Sequence, residues 1–187
     1  LEELCTFKSN RPSPFDKGRG IKDEGLVNNL KIEYELISHS PEQTQQFGVY
    51  IGELALPGDI FLLFGRLGTG KTCLTQGIAW GLGIKEYTMS PSFVVVRELY
   101  GRLPLYHIDL YRLDHLEEIV ELGLDDYLYS KGVCVVEWAE KGLSIFPAEH
   151  LLIQISYLAD TERSFQLKPS GKRYVEMAAQ LKSLTDS

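Results

Sequence analysis

Cysteine is scarce in this chain, with Cys5, Cys73 and Cys134 the only three in 187 residues. The number is odd and no pair shows a C-x-x-C spacing, which argues against a disulfide framework or a cysteine zinc site and for a reducing compartment. Long apolar runs are missing as well. The longest are strand-sized, too short to cross a bilayer as a helix, so a cytoplasmic location with no membrane partner is expected. Positive charge is in deficit: Lys+Arg 19 against Asp+Glu 26 gives a net charge of -7. That sign favours solubility and disfavours unaided binding to nucleic acid or anionic lipid. No internal repeat is detectable, and the length suits one well-formed core.

What is present begins with a poorly patterned stretch. Residues 1–30 mix both charges with Pro12 and Pro14 and hold no sustained period, so a flexible N-terminal extension is expected there. The chain opens on Leu1 instead of Met, which leaves an upstream segment open. Residues 31–187 are expected to form a single domain. Ile32, Tyr34 and Leu36 alternate with charged neighbours, as in a half-buried strand. Ser40, Pro41 and Gln43 then suit a capped helix running to about Leu54, with Pro57-Gly58 as its exit.

"IFLLF", residues 60 to 64, has no polar alternation and predicts a central strand covered on both faces. "KTCLTQGIAWGLG" predicts a helix ending near Gly81 to Gly83. "SFVVVREL" and "PLYHID" predict strands that "YGRL" can join as a hairpin. Asp114 with Glu117 resembles a capping box ahead of "LEEIVELGL". "VCVVEW", residues 133 to 138, predicts another buried strand, "LLIQISYL" and "RSFQLKPS" later and more peripheral ones, and a last helix starts near Lys172. The sum is an α/β layer fold with a mixed sheet.

The chemistry-bearing stretch is "FLLFGRLGTGKT". Gly65, Gly70, Lys71 and Thr72 fit G-x-x-x-x-G-K-[ST], with Arg66, Leu67, Gly68 and Thr69 inside the wrap and Cys73 just after it. Such a loop turns backbone N–H groups toward phosphate oxygens, and side chains at its glycines would obstruct the turn. The following helix adds its own amides and positive end. Lys71 supplies a mobile cation, and the Thr72 hydroxyl can ligate Mg²⁺. A buried strand before and a helix after complete the context, so the fold expected is a P-loop NTPase-like three-layer α/β fold with a central mixed, mainly parallel sheet. ATP or ADP with Mg²⁺ are the expected cofactors.

A magnesium site also wants a carboxylate at a neighbouring strand end. Asp109 closes "LYHID" and Glu137 closes "VCVVE". If both strands flank residues 60 to 64, one acid holds the ion while the other orients or deprotonates the attacking water. Ser90-Pro91-Ser92 sits where a γ-phosphate-sensing segment would lie, or is a plain turn. Arg112 binds phosphate or pairs with an acid such as Asp109, and His107 packs or hydrogen-bonds within its strand. Trp138, on the opposite side of its strand by alternation, covers nucleotide or fills core. The chain has no N-K-x-D, T-K-x-D or D-x-x-G stretch and no room for a large arginine-bearing lid. An ATPase is therefore expected; a small-molecule kinase and a nucleotide-sensing module with negligible turnover are the alternatives.

"GRLGTGKTCLTQGIAWGLG", "SPSF", "YHIDLYRL", "ELGLDDYL" and "VVEWAEKG" together resemble the TsaE family, the ATPase component of bacterial tRNA threonylcarbamoyladenosine biosynthesis, over roughly residues 32 to 167. The resemblance implies slow ATP hydrolysis alone and faster hydrolysis with two partners. One is the ligase subunit that modifies adenosine 37 of tRNAs reading ANN codons; the other is its inactive paralogue. By the same resemblance Lys71, Asp109 and Glu137 are catalytic, and Thr72, Asp109 and Glu137 serve the metal. Gly65 to Cys73, Glu42, Thr44, Ser92 and Trp138 serve the nucleotide. Two departures stand out: Ser92 replaces the family's Thr after Ser-Pro, and Arg66 replaces its usual acidic residue. With its charge of -7, the chain alone is expected to bind tRNA weakly at physiological salt. A salt titration against labelled tRNA checks this, and a tight, salt-sensitive complex formed without partners would contradict it.

Overall fold

The chain runs through β1 (Tyr34–Ser38), α1 (Pro41–Leu54), β2 (Ile60–Phe64), α2 (Lys71–Gly81), β3 (Val96–Tyr100) and β4 (Pro104–Asp109). It continues through α3 (Leu116–Glu121), α4 (Asp125–Leu128), β5 (Val133–Glu137), a 3₁₀ segment (Ala139–Ile145), β6 (His150–Tyr157), β7 (Arg163–Ser170) and α5 (Lys172–Thr185). The computed structural model describes residues 34–86 and 95–185, all within one compact unit, Lys31–Ser187. The expectations for residues 1–30, for Ile32 and for Ser90-Pro91-Ser92 fall outside the described residues.

One seven-stranded sheet has the order β1-β7-β6-β2-β5-β4-β3. Its four middle strands, β6, β2, β5 and β4, run parallel; β7 and β3 flank them antiparallel, and β1, paired antiparallel to β7, runs with the four. Strand parity then sets the two faces. Phe61, Leu63, Val133 and Val135 join one apolar cluster with residues of α1, α2 and α5. Ile60, Leu62, Cys134 and Val136 join a second with α3, α4 and the 3₁₀ segment. This is the expected three-layer α/β arrangement, and no helix among the described residues is long and apolar enough to cross a membrane.

Three local expectations need correction. β6 is not peripheral but pairs directly with β2, since Leu151, Ile153 and Ile155 supply a fully buried face that an edge strand would waste. β4 does not flank β2: β5 lies between them. The N-cap of α3 is His115, one residue later than Asp114, because Glu118 Oε2, not Glu117, accepts from the amides of both His115 (3.1 Å) and Asp114 (3.0 Å). The α1 start is as expected, with Ser40 Oγ accepting from the Gln43 amide and Gln43 Oε1 accepting from the His39 amide.

α1 and α2 meet through four glycines that periodicity did not single out. A Cβ on Gly48 would stand 2.4 Å from the Leu74 carbonyl oxygen, on Gly52 2.3 Å from that of Ile78, on Gly77 2.1 Å from that of Gln45, and on Gly81 2.2 Å from that of Val49. The helices therefore touch backbone to backbone, as small residues at i and i+4 allow. Arg102 Nη2, from the β3–β4 turn, fastens the far end of α1 by donating to the carbonyls of Gly52, Glu53 and Ala55. Gly77→Ala should destabilise the protein by about 2–3 kcal/mol, because backbone cannot yield to the added methyl. Gly83→Ala meets nothing within 4 Å but imposes a φ of 78° on alanine, and should cost only about 1–2 kcal/mol. Urea midpoints of the two variants check the contrast.

Candidate functional site

β2 delivers the chain into the glycine loop at its carboxyl end, and α2 starts at Lys71 on the far side. Gly70 carries a φ of 102°, closed to most side chains, and at Gly65 a Cβ would lie 2.7 Å from the Ile155 carbonyl oxygen. The loop's carbonyls meet donors on two sides, the lysine within the cleft and side chains of β6 and β7 outside it. Lys71 Nζ donates to Gly65 O (2.6 Å) and Arg66 O (3.1 Å), and Thr69 Oγ1 also donates to Arg66 O. Tyr157 Oη donates to Leu67 O (3.1 Å) and Arg163 Nε to Thr69 O (3.0 Å). The Arg163 guanidinium itself lies 4.3 Å over the Tyr157 ring. A peptide whose carbonyl points out points its N–H the other way, so this bracing from β6 and β7 helps aim the loop's amides at the cleft.

Across the cleft stand the two strand-end acids. Parity places His107, Asp109 and Glu137 on the α2 face, and Asp109 is in register with Glu137, which is in register with Leu63 of β2. Glu137 Oε2 accepts from Thr72 Oγ1 at 2.9 Å. Its Oε1 lies 3.2 Å from Thr75 Oγ1, a hydroxyl that also reaches Lys71 O, and 2.7 Å from His107 Nε2. Asp109 Oδ1 accepts from the Tyr111 amide at 2.9 Å. Both acids are buried. Burial lowers the Lys71 ammonium from its ordinary value, while the carboxylates of Glu137, Glu140 and Asp109 oppose that shift.

Lys71, Thr72, Cys73, Asp109, Glu137 and Trp138 line one cleft of about 320 Å³, with Leu67, Gly68 and Gly70 at its loop side. Trp138 has a left-handed backbone, φ 60°. It packs against the second apolar cluster, as alternation implied, yet its ring centroid lies 3.7 Å from Lys71 Nζ. Thr44, Thr69, Cys73 and Arg163 line a second cleft of about 230 Å³ on the other side of the loop. Glu42 is among the lining residues of neither cleft, and a hydrogen bond with Ser40 holds its carboxyl below the usual value. Arg66 and Arg112 are exposed, and Ser92 lies outside the described residues.

Sequence reasoning missed four contributors. Thr75 is one helical turn beyond Lys71, and His107 is two strand residues before Asp109, so simple periodicity could have placed them on the faces of Lys71 and Asp109, though not at Glu137. It expected His107 to pack or hydrogen-bond within its own strand; the ring is buried there, but its hydrogen bond runs across to β5. Tyr157 and Arg163 had no local signal, because their partners are carbonyls some ninety residues away.

Fold and loop together define an α/β protein of the P-loop NTPase type. The family model described as "Threonylcarbamoyl adenosine biosynthesis protein TsaE" matches residues 38–165. A Treponema pallidum protein named for tRNA threonylcarbamoyladenosine biosynthesis, TsaE, is 41% identical over 127 residues, which span 68% of this chain and 94% of that one. A Bacillus subtilis protein of the same name is 41% identical over 143 residues, spanning 76% and 89%. The crystal structure of Bacillus subtilis YdiB superposes with a TM-score of 0.72 at 36% identity, covering 83% of this chain and 97% of that one. The chain belongs to the TsaE family.

Removal of one brace tests the loop geometry. Tyr157→Phe should speed amide hydrogen exchange over residues 66–70 about fivefold, the equivalent of one ordinary hydrogen bond, and leave the β2 core amides unchanged.

Proposed function

We propose that this protein hydrolyses ATP with Mg²⁺ and that the hydrolysis supports threonylcarbamoyl transfer to adenosine 37 of tRNAs reading ANN codons, in complex with the ligase subunit and its inactive paralogue. The observation that carries this reading is the single cleft in which Lys71 and Thr72 of the loop face Asp109 and Glu137 of two adjacent parallel strands. The similar T. pallidum and B. subtilis proteins, named for tRNA threonylcarbamoyladenosine biosynthesis, support the pathway.

The residues suit the expected groups. Among the described residues no three His, Cys, Asp or Glu side chains form a metal cage. Magnesium at a nucleotide needs none, since one or two carboxylates and a hydroxyl share it with phosphate oxygens. Thr72 Oγ1 and Glu137 Oε2, 2.9 Å apart, are hard oxygen donors at one point of the cleft. When bound, the ion supplies charge neutralisation between the acids and a triphosphate and polarises the phosphoryl group.

The remaining roles belong to the chain. The loop amides and Lys71 bind phosphate oxygens; to do so, Lys71 exchanges its contacts with Gly65 O and Arg66 O for those oxygens. Thr72 and Glu137 hold the ion. Asp109, fixed by the Tyr111 amide, orients the attacking water. Trp138 shields the Lys71 side of the cleft from solvent. The second cleft, beside Thr44 and Cys73, takes the nucleoside end. The net charge of -7 leaves tRNA to be held by the partners.

Phosphate release and ADP calorimetry test the reading together. Glu137→Gln should lower phosphate release by about a hundredfold while ADP still binds, whereas Lys71→Ala should weaken ADP by roughly 10–100-fold, as loss of a charged hydrogen bond implies. Addition of the two partners, then tRNA, should raise the wild-type rate. An unchanged rate would sink the coupled role, and phosphate appearing on a small acceptor in place of water would identify a kinase.

A further inference from the structure

His107 is fully buried on β4. Its Nε2 lies 2.7 Å from Glu137 Oε1, yet Nδ1 is buried with no hydrogen-bond partner. An ionised carboxylate only accepts, so the proton of this contact sits on Nε2. Nδ1 is then left as an orphan inside the protein, an arrangement that opposes folding. An apolar side chain of similar size would avoid it between Leu105 and the β5 valines. Packing alone therefore does not account for a histidine here.

What the ring contributes is direction. His107 and Thr75 both reach Glu137 Oε1, whereas Thr72 reaches Oε2. One carboxylate oxygen is committed to the interior and the other is presented beside the loop threonine. Without the ring, rotation about the last side-chain bond of Glu137 would swing the carboxylate plane so that neither oxygen pointed at the Thr72 hydroxyl. We infer that His107 is a positioning residue which orients the Glu137 carboxylate, so that Oε2 faces the magnesium-and-phosphate end of the cleft. It acts through Glu137 and touches no substrate. The inference rests on the proposed role of Glu137 at the ion.

Removing a donor that holds a metal-binding side chain from behind costs about 10–100-fold in metal affinity or activity. The experiment measures ADP affinity by calorimetry in Mg²⁺ and in EDTA, with kcat and KM for ATP alongside, for wild type, His107→Leu and His107→Gln. Leucine fills the space without a donor, and glutamine carries an amide N–H to the position of Nε2. His107→Leu should reduce the gain in ADP affinity brought by Mg²⁺ about tenfold and kcat by 10–100-fold. ADP affinity in EDTA should stay at the wild-type value, and KM for ATP at saturating Mg²⁺ within about threefold. His107→Gln should restore most of both losses. Should His107→Leu fail to fold, His107→Asn replaces it, being polar but too short to reach Oε1.

A full magnesium gain in the leucine or asparagine variant overturns the inference. Equal impairment of glutamine and leucine variants also overturns it, because ring packing and not the donor would then matter. Wild-type protein that binds ADP equally in Mg²⁺ and EDTA overturns the ion role of Glu137 itself, and this inference with it. The wild-type measurement thus separates failure of the site from failure of its support.

Discussion

Where Gly48 and Gly52 of α1 meet Gly77 and Gly81 of α2, carbonyl oxygens occupy the space that side chains would fill. The contact carries no chemistry of its own, but α2 begins at Lys71, and its first turn supplies Thr72 and Thr75 to Glu137. A helix free to slide on its neighbour by one residue's rise of about 1.5 Å would break both hydrogen bonds. Backbone contact is suited to this task because it has no rotamers to adjust. Interiors are stiff where packing is closest, and here a backbone-to-backbone contact lies along the helix that begins at the loop.

The charges of the cleft explain why it needs such rigidity. Lys71, Asp109 and Glu137 are all buried, where a charged group is costly unless it is paired or hydrogen-bonded. Each is therefore given partners from the protein: loop carbonyls for the lysine, two hydroxyls and an imidazole for Glu137, a backbone amide for Asp109. With two acids and one cation facing it, a bare polyphosphate would meet net repulsion. On the proposed reading a divalent cation reverses that sign, so nucleotide and ion bind as linked events. On that same reading the acids would act as a filter against nucleotide without metal as much as a seat for the metal.

Legibility in the sequence followed the range of the interactions. The loop, its strand and its helix were legible because glycine, lysine and threonine at fixed spacing answer to local geometry. Asp109 and Glu137 were legible because each closes an apolar strand. Strand order was not: whether "LLIQISYL" lies beside β2 or at an edge depends on which buried face finds a partner, and alternation is the same in both cases. The correction at β4 has the same cause. The α3 cap shifted by one residue because two consecutive glutamates, Glu117 and Glu118, both satisfy the spacing rule, and only the backbone path selects between them. His107 could be assigned to a strand but not to Glu137, since cross-strand register is a property of two segments and not of one.

The two halves of the site are fastened to opposite sides of β2. The loop is held by Tyr157 of β6 and Arg163 of β7, while the acids come from β5 and β4. Sheet twist alone would let the two sides rotate against each other, since adjacent strands differ by some 20–25° and the angle is soft. Thr72 and Thr75 counter that freedom, because α2 bonds directly to Glu137 of β5. Loop-to-acid spacing is thereby set by a helix that belongs to the loop's side and a carboxylate that belongs to the other. His107 holds that carboxylate from behind, so the bond between the two halves ends on a group that cannot turn away. A fold with this division needs few residues at the chemistry itself, and most of its sequence serves to keep Glu137 where Thr72 can reach it.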